Sequence, residues 1–169
     1  MNRSQSSRLL FFGLCMNLLI ALPASAKDLT SRLGIGMSNQ FSVDLPSIAV
    51  RYYPQPTYGL SAALGIDTEE DNSRFGFNTK YYKIIFVEDN LNFYMGGQLG
   101  LVSVEDNVSG DTESGFELGG FAGAEFFFTG LDSLGFSFEA GVGVSTLTSD
   151  VRFRTVADSP LRAGITFYF

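Results

Sequence analysis

The sequence predicts an all-β chain, an eight-stranded antiparallel up-and-down barrel built to cross a membrane, and three observations predict it. Period-two alternation recurs in eight segments, each with one apolar row and one row of polar residues and Gly, as strands with two unlike faces require. The composition holds 17 Phe and 19 Gly but no Trp and no His, a mixture without long helical periods that favours many strands. The third is the end of the chain. Leu161, Ala163, Ile165, Phe167 and Phe169 alternate with Arg162, Gly164, Thr166 and Tyr168, and the strand stops on a bare Phe, where a closing strand in water usually runs on into a polar tail.

The amino terminus reads as a secretory signal peptide over residues 1–26. Arg3 and Arg8 form the basic n-region, Leu9 to Leu22 the apolar h-region and Ala24-Ser25-Ala26 the cleavage site, which implies Sec export and a cut after Ala26. The apolar run is shorter than the roughly 20 residues of a membrane-spanning helix. Cys15, the one cysteine, falls inside the h-region behind the bulky Leu14, so the mature chain is expected to carry no thiol. Residues 27–169 then form one domain of 143 residues.

Within it the first strand is expected over Leu29 to Ser38, with Leu33, Ile35 and Met37 on the apolar face, followed by a loop from Asn39 to Leu45. Ile48, Val50 and Tyr52 alternate with Ala49, Arg51 and Tyr53 until Pro54-Gln55-Pro56, where proline cannot donate to a ladder. Tyr58, Leu60, Ala62, Leu64 and Ile66 face away from Ser61, Ala63 and Asp67, and the acidic stretch Thr68 to Ser73 turns the chain. The fourth strand sets Phe75, Phe77, Thr79 and Tyr81 against Arg74, Asn78, Lys80 and Tyr82. It then loses its pattern at Ile84-Ile85-Phe86-Val87, which is apolar on both faces, as a bulge or an interfacial segment would be.

Leu91 to Leu101 follows the turn Glu88-Asp89-Asn90, and a polar loop runs from about Glu105 to Ser114. The sixth strand, Phe116 to Phe128, places Glu117, Phe121, Glu125 and Phe127 opposite Leu118, Ala122, Ala124 and Phe126; the seventh, Leu134 to Ser145, places Ser137 and Glu139 opposite Phe136, Phe138 and Val142. A loop to Ser159 leads to the closing strand. Short turns thus alternate with longer polar loops, the rhythm of bacterial outer-membrane barrels.

Which row faces inward is decided by bulk. An eight-stranded barrel leaves an interior just wide enough for side chains, so the Gly-rich charged row fits inside and the Phe- and Leu-rich row belongs against lipid. Tyr52, Tyr58, Phe93, Phe128, Phe136 and Phe169 would then form an aromatic girdle at the periplasmic interface. Inside, Arg32, Arg51, Lys80, Glu125 and Glu139 are expected in the lower and middle lumen, with Arg74, Glu117 and Arg162 nearer the outer mouth. They should pair, because isolated charges in so narrow a space are costly. A polar plug that fixes register is the expectation, ahead of a gated ion path.

Other chemistry is thinly supported. The loop acids Asp67, Glu69, Glu70, Asp71, Glu105, Asp106, Asp111 and Glu113 do not follow an EF-hand spacing and read as solvated. Asn107-Val108-Ser109 fits a glycosylation sequon that carries no meaning in a bacterial protein. Without His a Ser nucleophile lacks its usual base, and a zinc site would lack its commonest ligands, so no enzyme, metal or cofactor is expected. Removing Arg3 and Arg8 from 11 Lys plus Arg leaves 9 against 18 Asp plus Glu, a net charge of −9, which disfavours nucleic acid.

The ending Gly164-Ile165-Thr166-Phe167-Tyr168-Phe169 resembles the carboxy-terminal assembly signal of bacterial outer-membrane barrels, with Gly164, Phe167 and Phe169 in its key positions and Ala163 where a polar residue is usual. Together with the signal peptide and the alternation, the mature chain resembles the small OmpA/OmpX-type eight-stranded barrels over essentially all of residues 27–169. That resemblance implies a monomer in the outer membrane of a Gram-negative bacterium. It also implies contact with lipid and lipopolysaccharide, delivery by the barrel-assembly machinery, and a role in envelope integrity or adhesion without catalytic residues. Unlike full-length OmpA, the chain is expected to have no periplasmic domain. An OmpW-like porin path for small hydrophobic molecules ranks second, because the lumen is charged, and a soluble periplasmic ligand-binding barrel ranks third.

Overall fold

The structure, a computed structural model, describes residues 28–39, 45–70, 72–105, 110–147, 151–155 and 162–169. The signal-peptide reading, the sequon, Asp71 and Asp106 lie outside the described residues. Nine strands occur: β1 (Leu33–Ser38), β2 (Ser47–Gln55), β3 (Tyr58–Asp67), β4 (Arg74–Glu88), β5 (Leu91–Glu105), β6 (Thr112–Phe127), β7 (Leu134–Ser145), β8 (Arg152–Thr155) and β9 (Arg162–Tyr168). All pairings are antiparallel, and each of β1 to β7 pairs with its successor except that β7 pairs with both β8 and β9, while β9 returns to β1.

Nine strands make eight staves. β9 lies along the lower half of β7, Leu134 to Glu139, and β8 along its upper half, Val142 to Ser145, so the two share one place in the wall. The result is a closed barrel with no free edge through its lower half, as lipid requires of a sheet. Its stagger follows from the register. From Ile35 the Cα partners run Val50, Ala62, Thr79, Leu99 and Leu118 one way round. The other way they run through Phe167 and Leu134 to the position of Phe128, ten residues further along β6, since 128 − 118 = 10. Ten residues of shear over eight strands tilts them steeply and keeps the interior narrow.

The alternation read from the sequence holds on every main stave, and the bulge expected at Ile84–Val87 is present. Ile84 pairs with Tyr94 and Phe86 with Phe93, which leaves Ile85 unopposed and turns both Ile85 and Phe86 outward. Three boundaries differ from expectation. The first strand begins at Leu33, not Leu29, because Ser31 takes a left-handed φ of 62° and donates its N–H to the Tyr53 carbonyl, which swings Leu29 into the barrel. β5 and β6 take up both ends of the expected Glu105–Ser114 loop, at Glu105 and from Thr112 to Ser114, and just inside it Ser103 and Ser114 face each other across the ladder and bond at 2.9 Å. β8 occupies part of the expected Thr146–Ser159 loop.

β2 ends at Gln55, within the expected Pro54-Gln55-Pro56 stop, after a shift in register past Tyr52. Two apolar clusters lie inside: Leu29, Tyr53, Tyr82, Tyr94, Phe121, Phe127 and Tyr168 at the end with the short turns, and Leu45, Ala49, Ala63 and Val102 at the other.

Candidate functional site: charges between two apolar ends

Arg51 sits at the centre of the interior. β2 presents it inward, and alternation on β4, β5, β6 and β7 brings Lys80, Tyr94, Glu125, Ser137 and Glu139 to the same level. The guanidinium donates Nη1 to Glu125 Oε1 at 3.2 Å, and Nη2 to Glu139 Oε1 at 3.2 Å, Ser137 Oγ at 3.2 Å and Tyr94 Oη at 3.3 Å. Its planar fork suits two carboxylates at once. Tyr82 and Tyr94 flank it, each ring centroid 5.6 Å from Cζ.

Each carboxylate has three donors. Glu125, fully buried, also accepts from Tyr53 Oη at 2.7 Å and Tyr168 Oη at 2.6 Å. Glu139 accepts from Tyr94 Oη at 3.0 Å and from the Lys80 ammonium, which also lies 4.8 Å from the Phe121 ring centroid. Two cations therefore balance two carboxylates, and the remaining lone pairs are met by phenols, the condition under which buried ions are tolerated. Glycine makes the room: a Cβ on Gly135 would lie 2.7 Å from Glu125 Oε1, and one on Gly123 2.8 Å from Glu139 Cγ.

Above this cluster, Arg162 donates Nη1 to Gln98 Oε1 at 2.5 Å. Arg162, Gln98, Glu117 and Arg154 border a cavity of about 30 Å³, room for a single water molecule. Of the charges expected to gather, Arg51, Lys80, Glu125 and Glu139 form one network, while Glu117 and Arg162 sit together in the neighbouring outer compartment. Arg32 stands apart at the foot of β1, half-buried, where its carbonyl accepts from Tyr53 N–H at 3.3 Å. Arg74, at the outer rim, donates to Asn72 Oδ1.

The tyrosines were missed as network members. Tyr53, Tyr82, Tyr94 and Tyr168 all fall on the inward parity beside Arg51, Lys80 and Glu139, and that parity was the available signal. At the foot, Asp28 Oδ1 accepts from Thr30 N–H at 2.8 Å and Thr30 Oγ1 at 2.5 Å, bonds that hold its carboxyl below the usual range and brace the turn that inserts Leu29. The aromatic set faces outward at the same end, with Phe128 and Phe136 edge to face at 5.3 Å and Tyr58 and Tyr81 at 5.7 Å. Phe167 and Phe169 are exposed there, and Phe169 N–H closes on the Leu33 carbonyl at 3.0 Å. Gly164 pairs with Ser38 on one side and Ser137 on the other. The loop acids form no group of three that could hold a metal among the described residues.

The architecture defines a class, the closed eight-stranded antiparallel barrel with an inverted interior. Among solved structures the chain is similar to the N-terminal β-barrel domain of Pseudomonas aeruginosa OprF, with a TM-score of 0.54 and 13% sequence identity over 86% of this chain and 100% of that domain. The likeness is one of fold. No family model and no curated protein matches the chain.

Proposed function

We propose that the chain is an integral outer-membrane barrel whose interior is filled by side chains, with a structural or surface-interaction role in the cell envelope and no catalysis. The observation that carries this is the inversion of polarity: Arg51, Lys80, Glu125 and Glu139 are buried, while Leu99, Leu101, Leu118, Phe138 and Ile165 are exposed around the perimeter. A surface of that kind is at home in hydrocarbon. The OprF barrel domain supports the reading at the level of fold.

The polar network is bracketed by the tyrosine cluster with Leu29 at one end and by Leu45 and Val102 at the other, an arrangement that supports a plug over a pore. The absence of His from the sequence leaves any Ser nucleophile without its usual base, which supports a role without nucleophilic catalysis. Outer-membrane lipid, lipopolysaccharide and the barrel-assembly machinery, engaged through Gly164, Phe167 and Phe169, are the partners this reading implies.

Three measurements test it. The chain should stay with the membrane fraction after osmotic shock and migrate heat-modifiably on a gel. Reconstituted in planar bilayers it should show no conductance steps. Release by osmotic shock would overturn the membrane assignment, and regular steps would replace the plug with an OmpW-like channel.

A further inference from the structure

Among the described residues Lys83 is the one cation on the outward row of the strands. It faces away from the barrel between Tyr58 and Met95, its Cα partners on β3 and β5, and Tyr81 lies two residues along the same face. No carboxylate among the described residues pairs with it. Its level is given by the next residue, whose N–H bonds the Thr57 carbonyl in the β2–β3 turn at 2.9 Å, so Lys83 stands level with that turn, near the short-turn end of the apolar band, with the exposed Ile85, Phe86 and Val87 beyond it. There a cation on the lipid face costs about 0–1 kcal/mol, against about 2–4 kcal/mol at the midplane.

We propose that Lys83, with the hydroxyl of Tyr58 beside it, is a binding site for the phosphate of a phospholipid headgroup in the periplasmic leaflet. The argument is one of charge and position. A flexible ammonium on an apolar surface reaches along its stem to the nearest polar layer, and what that layer offers is anionic phosphate. Directly opposed side chains on an antiparallel pair have Cβ atoms about 5 Å apart, so the Tyr58 phenol and the Lys83 ammonium can meet one phosphate group. Tyr58 is held by Tyr81, their rings 5.7 Å apart at 32°, and the Phe86–Phe93 stack at 4.9 Å lies between this level and the β4–β5 turn, an aromatic pair suited to the headgroup region. Of the acids at this end, Glu88 and Asp89 lie beyond that stack at the β4–β5 turn, Asp132 lies in the β6–β7 turn, and Asp28 borders a pocket with Pro56, Ile84 and Val87 while its carboxylate accepts from Thr30.

This inference rests on the membrane reading, and the test separates the two. The full chain, extracted from membranes in a mild detergent and stripped of lipid, is titrated with phosphatidylglycerol and, in a second arm, with lipid A, and retained lipid is counted by native mass spectrometry. The expected result is one retained phosphatidylglycerol, a roughly tenfold weaker retention in Lys83→Gln as one charge-assisted contact of about 1.4 kcal/mol is lost, near-normal retention in Lys83→Arg and a smaller loss in Tyr58→Phe. Heat-modifiable migration of all variants shows that the barrel is intact. Retention unchanged in Lys83→Gln, or none in the wild type, overturns the site while leaving the membrane assignment standing. Lys83-dependent retention of lipid A in preference to phosphatidylglycerol overturns the choice of leaflet and ligand. Release of the chain by osmotic shock overturns both readings together.

Discussion

Phe138 and Glu139 are neighbours on β7, yet Phe138 is 45% exposed and Glu139 only 2%. In a protein folded in water the two values would be exchanged. The same contrast runs round the barrel, Val50 against Arg51 on β2 and Thr79 against Lys80 on β4. The outward row gains nothing from burial against protein; on the membrane reading proposed above its stability comes from hydrocarbon around it and from the closed ladder behind it. The inward row holds ions that are tolerated only because every partner is present. Side chains on the two rows should therefore respond to substitution by different rules.

The largest effect is expected on the inward row. Arg51→Ala leaves Glu125 and Glu139 without their shared cation, and removing one partner of a buried pair costs about 3–5 kcal/mol. Urea unfolding followed by far-ultraviolet circular dichroism measures the loss, and a midpoint equal to that of the wild type would mean the carboxylates are not held by Arg51. On the outward row, Leu99→Arg in lipid bilayers should cost about 2–4 kcal/mol. The same change on a face in water would cost almost nothing, so a neutral result breaks the contrast between the rows.

Smaller effects sharpen it. Arg162→Gln removes the bond to Gln98 in the half-buried outer compartment and should cost about 1 kcal/mol by the same unfolding assay, well below Arg51→Ala. At the foot, the Asp28 carboxyl is depressed by the Thr30 bonds, so what it contributes is present above its unfolded value and fades as pH falls through the lowered one. Thr30→Val should return the Asp28 carboxyl to the ordinary range in an NMR titration. No change there would place the brace elsewhere.

Much of this was legible before any coordinates. An apolar row on one face and a polar, charged row on the other give each strand a strong period of two, which is why the parity of Phe136, Ser137, Phe138 and Glu139 could be read directly and why Arg51 and Glu139 could be placed in one lumen. The bulge at Ile85 was visible as a run that abandons the period.

Other features left weaker traces. Leu29 has the parity of Leu33 and reads as lipid-facing. Its true direction is set by the left-handed Ser31, and serine gives no warning of that conformation. Tyr53, Tyr94 and Tyr168 fall on the inward row, but a reading that gathers only charged groups there passes over their phenols as donors to Glu125 and Glu139. β8 alternates Arg152, Phe153, Arg154 and Thr155, but four residues are too few to set apart from a loop.

The relation between the two rows and their surroundings can be measured directly by site-directed spin labelling in lipid bilayers, with single cysteines placed at Leu99 and Ser137 and collision with molecular oxygen compared with collision with a water-soluble nickel chelate. The label at 99 should meet oxygen freely and the chelate hardly at all, and the label at 137 should be shielded from both. Free collision of the label at 99 with the chelate would contradict the inverted barrel.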